Sequence, residues 1–285
     1  MKILVCIKQV PDTTEVKIDP VTKNLVRDGV PSIMNPYDQT ALCQALAIKK
    51  KYGGRVVAVS MGPEQAIKEL NKSLRLGADE AFLLTGRELG GADTLATGYA
   101  LAQIIAKIGY DLILCGNEAI DGCTGQVGPC IGENLQIPAF TYVKKLEIKH
   151  DEVIIQRDTG KSIDTYSAKM PLVACMMKQG TETIESVGDV TRKEVKILHA
   201  DFMDREKIGV QGSPTKVAAI SVKEKLQNYL QVDYRWSCEE RLAYIINGGL
   251  EKKKVSLVRG NKEVLVDALI KAIVQAEEEK GNASE

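Results

Sequence analysis

The fold is decided by residues 55–84, whose sequence is RVVAVSMGPEQAIKELNKSLRLGADEAFLL. The first seven residues form a largely apolar run, which is typical of a strand buried on both faces. Residues 63–74 have apolar side chains at helical spacing, with a proline near the first turn and Gly77 beyond the end. Residues 80–85 form a second apolar run. Strand, helix and strand in this order predict a βαβ unit with parallel strands.

The same alternation continues on both sides of this unit. Residues 2–8, KILVCIK, form an apolar strand, and residues 36–52 have an apolar stripe at helical spacing. Downstream, residues 93–108 predict a third helix with Gly109 behind it, and residues 110–116, YDLILCG, predict a fourth strand. The predicted fold class is therefore α/β, with a doubly wound, mainly parallel sheet. Such sheets bind ligands outside the carboxyl ends of their strands.

The pattern changes beyond the fourth strand and its loop. Residues 140–160 and 162–177 are β-rich and lack crossover helices, so we predict antiparallel strands added at an edge of the sheet. From about Gly180 the periodicity weakens. We predict that residues 1–195 form the α/β domain and that residues 196–285 form a C-terminal arm covering another subunit. A small helical subdomain packed on its own core is the alternative.

Composition excludes several classes of partner. Lysine and arginine balance aspartate and glutamate at 38 each, so no overall charge attracts nucleic acid or an anionic membrane. No apolar run approaches the roughly 20 residues needed to span a bilayer, and the start is typical of a buried strand rather than a signal peptide. Seven scattered cysteines without a C-x-x-C pair, and only two histidines, disfavour disulfides and metal sites. We therefore expect a cytoplasmic protein without membrane insertion.

The loops after the predicted strands contain the residues that could bind a ligand. The connection from Lys8 to Asp38 is long, and long loops in compact domains are usually functional. After the second strand, Gly62 lets a ligand approach the backbone closely. After the third, residues 90–94, GGADT, precede a helix whose first amides suit a phosphate. An ordinary glycine loop with an N-cap explains the same residues.

The fourth loop carries the strongest signal, in residues 115–135, CGNEAIDGCTGQVGPCIGENL. Its glycines and short polar side chains precede a helix that begins near residues 125–127, which together form a cradle for an anion. The pattern is neither a P-loop nor a G-x-G-x-x-G fingerprint, so it predicts a nucleotide or phosphate ligand without naming it. Asp121 could bind a ribose or an amide, or cap the loop. No nucleophile lies beside a base, so we predict no catalytic residue.

Seven segments in the same order and spacing resemble the β subunit of electron-transfer flavoproteins. They are VPDTTEVKIDP (10–20), RDGVPSIMNPYD (27–38), VVAVSMGP (56–63), LGADEAFLLT (76–85), GGADTLAT (90–97), DLILCGNEAIDG (111–122) and TGQVGP (124–129). The resemblance covers roughly residues 1–180. It implies a doubly wound α/β domain of the adenine-nucleotide hydrolase-like superfamily, paired with an α subunit that holds FAD.

The VPDT, KIDP and GGADT loops resemble the electron-bifurcating branch of this family. That resemblance implies a second FAD in this chain and NAD(H) as substrate. One electron goes to ferredoxin, and the other goes through the α-subunit FAD to a flavin-dependent dehydrogenase. The dehydrogenase is of the acyl-CoA type or the 2-hydroxyacid (lactate) type. Two alternatives stay open: a non-bifurcating subunit that holds AMP structurally, and a self-sufficient nucleotide-sensing stress-type protein.

The resemblance also assigns site residues. The cofactor-binding set is Cys6, Val10, Asp12, Thr13, Asn35, Pro36, Tyr37, Asp38, Met61, Gly91, Asp93, Thr94, Thr97, Gly116, Asn117, Glu118, Ala119, Ile120, Asp121, Gly122, Cys123, Thr124, Gly125, Gln126 and Val127. The set that recognises the partner dehydrogenase is Val187, Val190 and Arg192. Four positions depart from the bifurcating pattern, which usually has Gln at Glu118, Asp at Cys123, Ala at Gly125 and Glu at Cys130.

Overall fold

A computed structural model describes residues 1–12, 17–18, 25–26, 31–149, 152–179, 194–216 and 235–246. Its helices are α1 Pro36–Tyr52, α2 Ile67–Leu76, α3 Thr94–Ile108, α4 Val127–Leu135 and α5 Cys238–Ile246. Its strands are β1 Lys2–Cys6, β2 Gln9–Pro11, β3 Lys17–Ile18, β4 Leu25–Val26, β5 Ser32–Met34, β6 Arg55–Met61, β7 Glu80–Leu84, β8 Leu112–Gly116, β9 Ala139–Lys149, β10 Glu152–Asp158, β11 Ile163–Lys169, β12 Leu172–Met176 and β13 Val195–Leu198. None of the helices in these ranges has the length and apolar character to cross a membrane.

Nine of these strands form one sheet in the order β11-β10-β9-β12-β8-β1-β6-β7-β13. From β12 to β13 every neighbouring pair is parallel. At the other edge, β10 is antiparallel to both β9 and β11. The long connection after β1 contains two short antiparallel pairs, β2 with β5 and β3 with β4. The predicted fold class is confirmed, including the antiparallel strands at one edge.

The prediction that residues 162–177 all belong to the antiparallel edge is wrong for β12. This strand lies inside the sheet, between β9 and β8, and pairs in parallel with both. All five of its residues, LVACM, are buried. Such a continuous apolar run is the signal of a strand covered on both faces, whereas the exposed, polar residues of β11 are typical of an edge.

Two buried layers cover the two faces of the sheet. Successive side chains of a strand point to opposite faces. On β1, Ile3 packs in the layer that contains Leu42 of α1, whereas Leu4 packs in the layer that contains Ile104 of α3 and Ile131 of α4. Each of these fully buried side chains stabilises the fold by about 1.5–3 kcal/mol. Because the helices cover both faces, the carboxyl ends of the strands are left open at one edge.

The described residues after β12 extend this α/β unit. The chain divides into two units between residues 222 and 223, and α5 is the described helix of the second. In the first unit β13 pairs with β7, and Met203 and Ile208 are buried in the layer of α3 and α4. The described residues from 194 to 216 are therefore part of the α/β unit, although the sequence predicts an arm from residue 196 onward. Contact of that arm with another subunit stays a prediction.

Candidate functional site

The carboxyl ends of β1, β6, β7 and β8 lie at one edge of the sheet, because these strands are parallel neighbours. The loops that follow them meet there, as the sequence predicts for a ligand site. On the side of α3 and α4, the edge is lined by Cys6, which is buried, and by Met61, which is partly buried. Burial raises the pKa of the Cys6 thiol, so this side chain is neutral at physiological pH.

Asp38, in the first turn of α1, connects two of these loops. Its Oδ2 accepts from the Lys8 amide at 2.7 Å, and its Oδ1 accepts from the Gly116 amide at 3.0 Å. The side chain is buried, and burial raises its pKa to about 7, although the hydrogen bonds and the Lys8 charge act in the opposite direction. A Cβ atom on Gly116 would lie 2.3 Å from Asp38 Oδ1. Position 116 is therefore glycine because α1 approaches β8 so closely.

Asn35 and Tyr37 hold the first part of the fourth loop. The Asn35 amide nitrogen Nδ2 donates to Glu118 O at 2.8 Å, and its Oδ1 accepts from the Ile120 amide at 3.4 Å. The Tyr37 hydroxyl donates to Glu118 Oε1 at 2.9 Å, and this bond is the main cause of a raised Tyr37 pKa. Residues 35–38 therefore fix the loop from the α1 side.

The rest of the loop folds into a tight turn. The amides of Gly122 and Cys123 both donate to Ala119 O, at 3.3 and 2.8 Å, and Cys123 has the unusual φ of 49°. Asp121 Oδ1 accepts from Lys8 Nζ at 2.7 Å. This pairing joins the loops after β1 and β8. Of the roles considered for Asp121, holding the loop therefore agrees best with the geometry.

The N-terminus of α4 follows this turn and is uncapped. The N-cap residue Gln126 makes no side-chain capping hydrogen bond. In the described ranges, the amides of residues 124–128 have no protein acceptor. A Cβ atom added at Gly122 would meet nothing within 4 Å. Unpaired amides at the positive end of a helix, beside open space, are the groups that an anion cradle requires, and binding of an anion here stays a prediction.

The N-terminus of α3 is different, because protein groups already occupy it. Asp93 Oδ1 accepts from the amides of Leu95 and Ala96 at 3.0 and 3.1 Å, as an N-cap does. Its Oδ2 accepts from the Thr215 amide at 3.1 Å, and its own amide donates to Ser213 Oγ at 2.8 Å. Burial acts to raise the pKa of Asp93. The hydrogen bonds that its carboxylate accepts from the amides of Leu95, Ala96 and Thr215 outweigh burial, so the pKa is lowered. The reading of GGADT as a glycine loop with an N-cap agrees with this geometry.

The two helix starts lie side by side. Thr94 Oγ1 donates to Gln126 Oε1 at 2.9 Å, which links the first residue of α3 to the N-cap of α4. One turn later, a Cβ atom on Gly98 would lie 2.4 Å from Cys130 Cβ, so α3 and α4 are in close contact. Leu95 and Ile120 are exposed apolar side chains near these helix starts. Amides, a hydroxyl and apolar side chains are the groups that a nucleotide requires.

The other predicted residues are placed as follows. Val10 is buried in β2, the Asp12 amide donates to Pro31 O at 2.7 Å, and Pro36 begins α1. Gly91 has a φ of 70°, Thr97 lies in the first turns of α3, and Asn117 donates its amide to Met176 O. Thr13, Val187, Val190 and Arg192 lie outside the described residues. Among the described residues, no group of His, Cys, Asp and Glu is arranged to hold a metal ion.

Three residues of this edge were missed by sequence reasoning. Lys8 could have been found, because it is a charged residue directly after the first strand and faces the loop after the fourth. Ser213 and Thr215 gave no signal in the sequence. They reach Asp93 from about 120 positions away, through contacts that only the folded chain creates.

Comparison with known proteins agrees with this geometry. The family described as "Electron transfer flavoprotein domain" matches residues 22–201. The electron transfer flavoprotein subunit beta of Thermoanaerobacterium thermosaccharolyticum is 46% identical over 252 residues, which cover 81% of this chain and 97% of the relative. The chain belongs to the electron transfer flavoprotein β-subunit family. Members of this family are flavoproteins and act as subunits of redox electron-transfer complexes.

Two further relatives of this electron transfer flavoprotein subunit carry more specific names. The caffeyl-CoA reductase-Etf complex subunit CarD of Acetobacterium woodii is 44% identical over 225 residues, which cover 76% of this chain and 86% of the relative. Protein FixA of Sinorhizobium fredii is 38% identical over 250 residues, covering 82% of this chain and 87% of that protein. The family membership removes the alternative of a self-sufficient stress-type protein.

Proposed function

We propose that this chain is the β subunit of an electron-bifurcating flavoprotein and binds FAD at the carboxyl edge of its sheet. NADH supplies two electrons. One goes to ferredoxin, and the other goes through the FAD of an α subunit to a flavin-dependent dehydrogenase. The observation that carries the proposal is the uncapped N-terminus of α4 beside the open space at Gly122. The motifs shared with bifurcating members support the same function.

The residues at this edge fit the chemical parts of FAD. The amides of residues 124–128, which have no acceptor among the described residues, and the Thr124 hydroxyl are donors for a diphosphate. Of the carboxylates near this loop, Asp121 pairs with the Lys8 ammonium group, whereas Asp38 and Glu118 accept hydrogen bonds from neutral donors of the chain. The apolar Ile120 and Leu95 side chains are suited to a flat ring.

The chain's own residues bind and orient the cofactor. FAD, when bound, supplies the ability to take a pair of electrons and pass them on singly. The uncapped amides would bind the charged end of the cofactor, and the apolar layer that contains Cys6 and Met61 would exclude water from the site. Because burial raises the pKa of the Cys6 thiol, this side chain would present a neutral group to a bound cofactor. We infer no catalytic residue in this chain, which acts as part of an oxidoreductase complex in the cytoplasm and has no activity alone.

The partners follow from the same proposal. The C-terminal residues contact the α subunit, and Val187, Val190 and Arg192 recognise the dehydrogenase. That dehydrogenase is of the acyl-CoA or the 2-hydroxyacid type. CarD, by its name, works in a complex with a caffeyl-CoA reductase, which supports a partner that acts on CoA thioesters.

One observation favours the second candidate, a non-bifurcating subunit that holds AMP. Of the adjacent N-termini of α3 and α4, the first is already capped by Asp93, so in this pair of described helices only α4 keeps uncapped amides. One set of amides suits the single phosphate of AMP as well as it suits one phosphate of a diphosphate.

Counting cofactors separates the two candidates. The chain is expressed with its α subunit, the complex is purified, and flavin and AMP are released and quantified by absorbance and chromatography. Bifurcation predicts two FAD for each αβ pair, without AMP. It further predicts that NADH reduces ferredoxin only when the dehydrogenase and its substrate are present. One FAD and one AMP for each pair would overturn the bifurcation proposal and support the AMP candidate.

A further inference from the structure

We propose that Asp38 is a positioning residue that holds the cofactor loop only as a carboxylate, so that uptake of a proton releases the cofactor of this subunit. The inference rests on the proposed cofactor site but not on whether FAD or AMP fills it. It differs from the assignment by resemblance, which makes Asp38 a direct cofactor contact.

The contacts of Asp38 support a positioning role. Both of its oxygens accept main-chain amides, from Lys8 after β1 at 2.7 Å and from Gly116 at the end of β8 at 3.0 Å. Only 6% of the residue's surface is exposed. With both oxygens bonded and the side chain buried, Asp38 has little surface with which to contact a ligand. Gly116 begins the loop that leads to the α4 amides, so the position of that loop depends on this carboxylate.

A protonated Asp38 could not keep both contacts. An ionised carboxylate accepts on both oxygens, whereas a neutral carboxyl group carries a donor on one of them. That O–H would face the amide N–H of Lys8 or Gly116, so that two donors would meet. The contact is too close to adjust freely, since even a Cβ atom on Gly116 would lie 2.3 Å from Asp38 Oδ1. Loss of one contact moves the start of the loop.

Among Asp38 and the thiols that interact with it, Asp38 is the group whose pKa lies near neutrality. Burial raises its pKa to about 7. The thiols of Cys6 on β1 and Cys115 on β8 interact with it, and both have raised pKa values, Cys6 chiefly because of burial and Cys115 chiefly because of its contact with Cys175. Both therefore stay neutral in this range. The positive charge that acts on Asp38 is Lys8, whose Nζ pairs with Asp121 at 2.7 Å. On the loop side, the Glu118 carboxylate is bonded to the Tyr37 hydroxyl of α1.

The expected pH dependence has opposite signs for stability and for cofactor retention. The pKa of Asp38 is about 7 in the folded chain, whereas its ordinary value, which applies to the unfolded chain, is 3.8. Between these two pH values the folded chain therefore binds more protons than the unfolded chain. The contribution of Asp38 to stability is therefore greatest below about pH 4 and is lost as pH rises towards 7. Cofactor retention needs the carboxylate, so it increases over the same range. A role in folding alone would not separate the two trends.

The test uses the complete αβ complex. The cofactor retained by this subunit is measured after desalting between about pH 5.5 and 8.5, and the α-subunit flavin serves as the internal control. We expect the Kd to rise as pH falls below about 7, by at most about tenfold per pH unit, the limit for one proton. Asp38→Asn should retain little cofactor and should show no pH dependence. The control Asp111→Asn changes an aspartate at the opposite end of β8, where it accepts from the Lys2 amide, and should behave as wild type.

Each outcome is informative. A flat wild-type profile overturns the proposal even if Asp38→Asn fails to fold, and so does an Asp38→Asn variant that follows the wild-type profile. If the complex contains AMP instead of a second FAD, bifurcation fails but the same measurement is made on AMP by chromatography. A pH-dependent loss of AMP then supports the role of Asp38 independently of the proposed electron transfer.

Discussion

The N-termini of α3 and α4 lie next to each other, and both follow glycine-rich loops, but they are used differently. At α3 the Asp93 side chain accepts the first amides, and Ser213 and Thr215 close over it. At α4 the N-cap Gln126 makes no capping bond, and the amides of residues 124–128 have no acceptor in the part of the chain that the structure describes. Glycines before a helix therefore indicate an anion site only where no side chain already accepts hydrogen bonds from the first amides.

The glycines of the two loops show the same contrast. A Cβ atom on Gly91 would lie 2.6 Å from Val210 Cγ2, and its φ of 70° also favours glycine. A Cβ atom on Gly122 would meet nothing within 4 Å. Gly91 is therefore required by packing inside the chain, whereas Gly122 leaves space that a ligand can use.

The largest effect is expected at the α4 side, from Gly122→Val. A Cβ atom at this position meets nothing within 4 Å, so the new side chain enters open space. If it displaces two charge-assisted hydrogen bonds to the cofactor, each worth about 1.5–3 kcal/mol, affinity should fall by roughly a hundredfold or more. The measurement is the cofactor of this subunit retained after desalting, with the α-subunit flavin as internal control. Thr124→Val should lower retention to a smaller degree.

Gly122→Ala is the matched control for this variant, because it adds one methyl group to the same space. It should retain more cofactor than Gly122→Val. Unchanged retention in Gly122→Val would remove the contrast between the two helices, since the phosphates would then bind elsewhere. Loss of both flavins, with a lower helical signal in circular dichroism, would assign the loop a role in folding.

An intermediate effect, on stability, is expected at the α3 side from Ser213→Ala. The buried Ser213 hydroxyl accepts from the Asp93 amide and donates to Gly209 O at 2.6 Å. The variant removes this hydroxyl, so the Asp93 amide and Gly209 O both lose a hydrogen bond. The free energy of unfolding should fall by about 1–3 kcal/mol. Urea denaturation measures this loss. Ser162→Ala, at an exposed turn, should change it by less than about 0.5 kcal/mol. Equal losses in the two variants would show that Ser213 does not hold the α3 cap.

A smaller effect is expected when the cap residue itself is changed. Asp93→Ala should destabilise the chain by about 1 kcal/mol, whereas Asp93→Asn keeps an N-cap acceptor and should lose only a fraction of that. Although burial opposes it, the amide hydrogen bonds lower the Asp93 pKa below its ordinary value of 3.8. Its contribution is thus present above about pH 4 and is lost as pH falls through the lowered value. Unfolding of both variants at pH 3 and pH 7 tests the sign.

The cofactor provides the sharper control for the Asp93 variants. If α3 is occupied by protein groups, Asp93→Ala should retain the cofactor of this subunit almost as well as wild type. A release as large as that caused by Gly122→Val would falsify the comparison, because α3 would then be part of the phosphate site.

Much of the fold could be predicted from local patterns. The apolar runs of β1, β6, β7 and β8 and the helical spacing between them led to the correct parallel sheet, because burial on both faces requires such runs. The error at Leu172–Met176 arose where that same pattern stood next to exposed edge strands. The continuous apolar run of β12 was a local signal for a strand covered on both faces, but which strands become its neighbours is a long-range property that residues 162–177 alone do not show.

At the site, the amino-acid sequence alone was enough to identify the loops and the chemical groups available in them. The glycines, the short polar residues and the helix start after β8 were visible without the structure. The folded chain was needed to see that Asp38 accepts from the Lys8 and Gly116 amides, and that Ser213 and Thr215 close over the start of α3 while the start of α4 has no such cover among the described residues. The physical reason is that an amide's partner depends on what the folded chain brings within about 3 Å, and partners 78 or 120 positions away leave no local pattern.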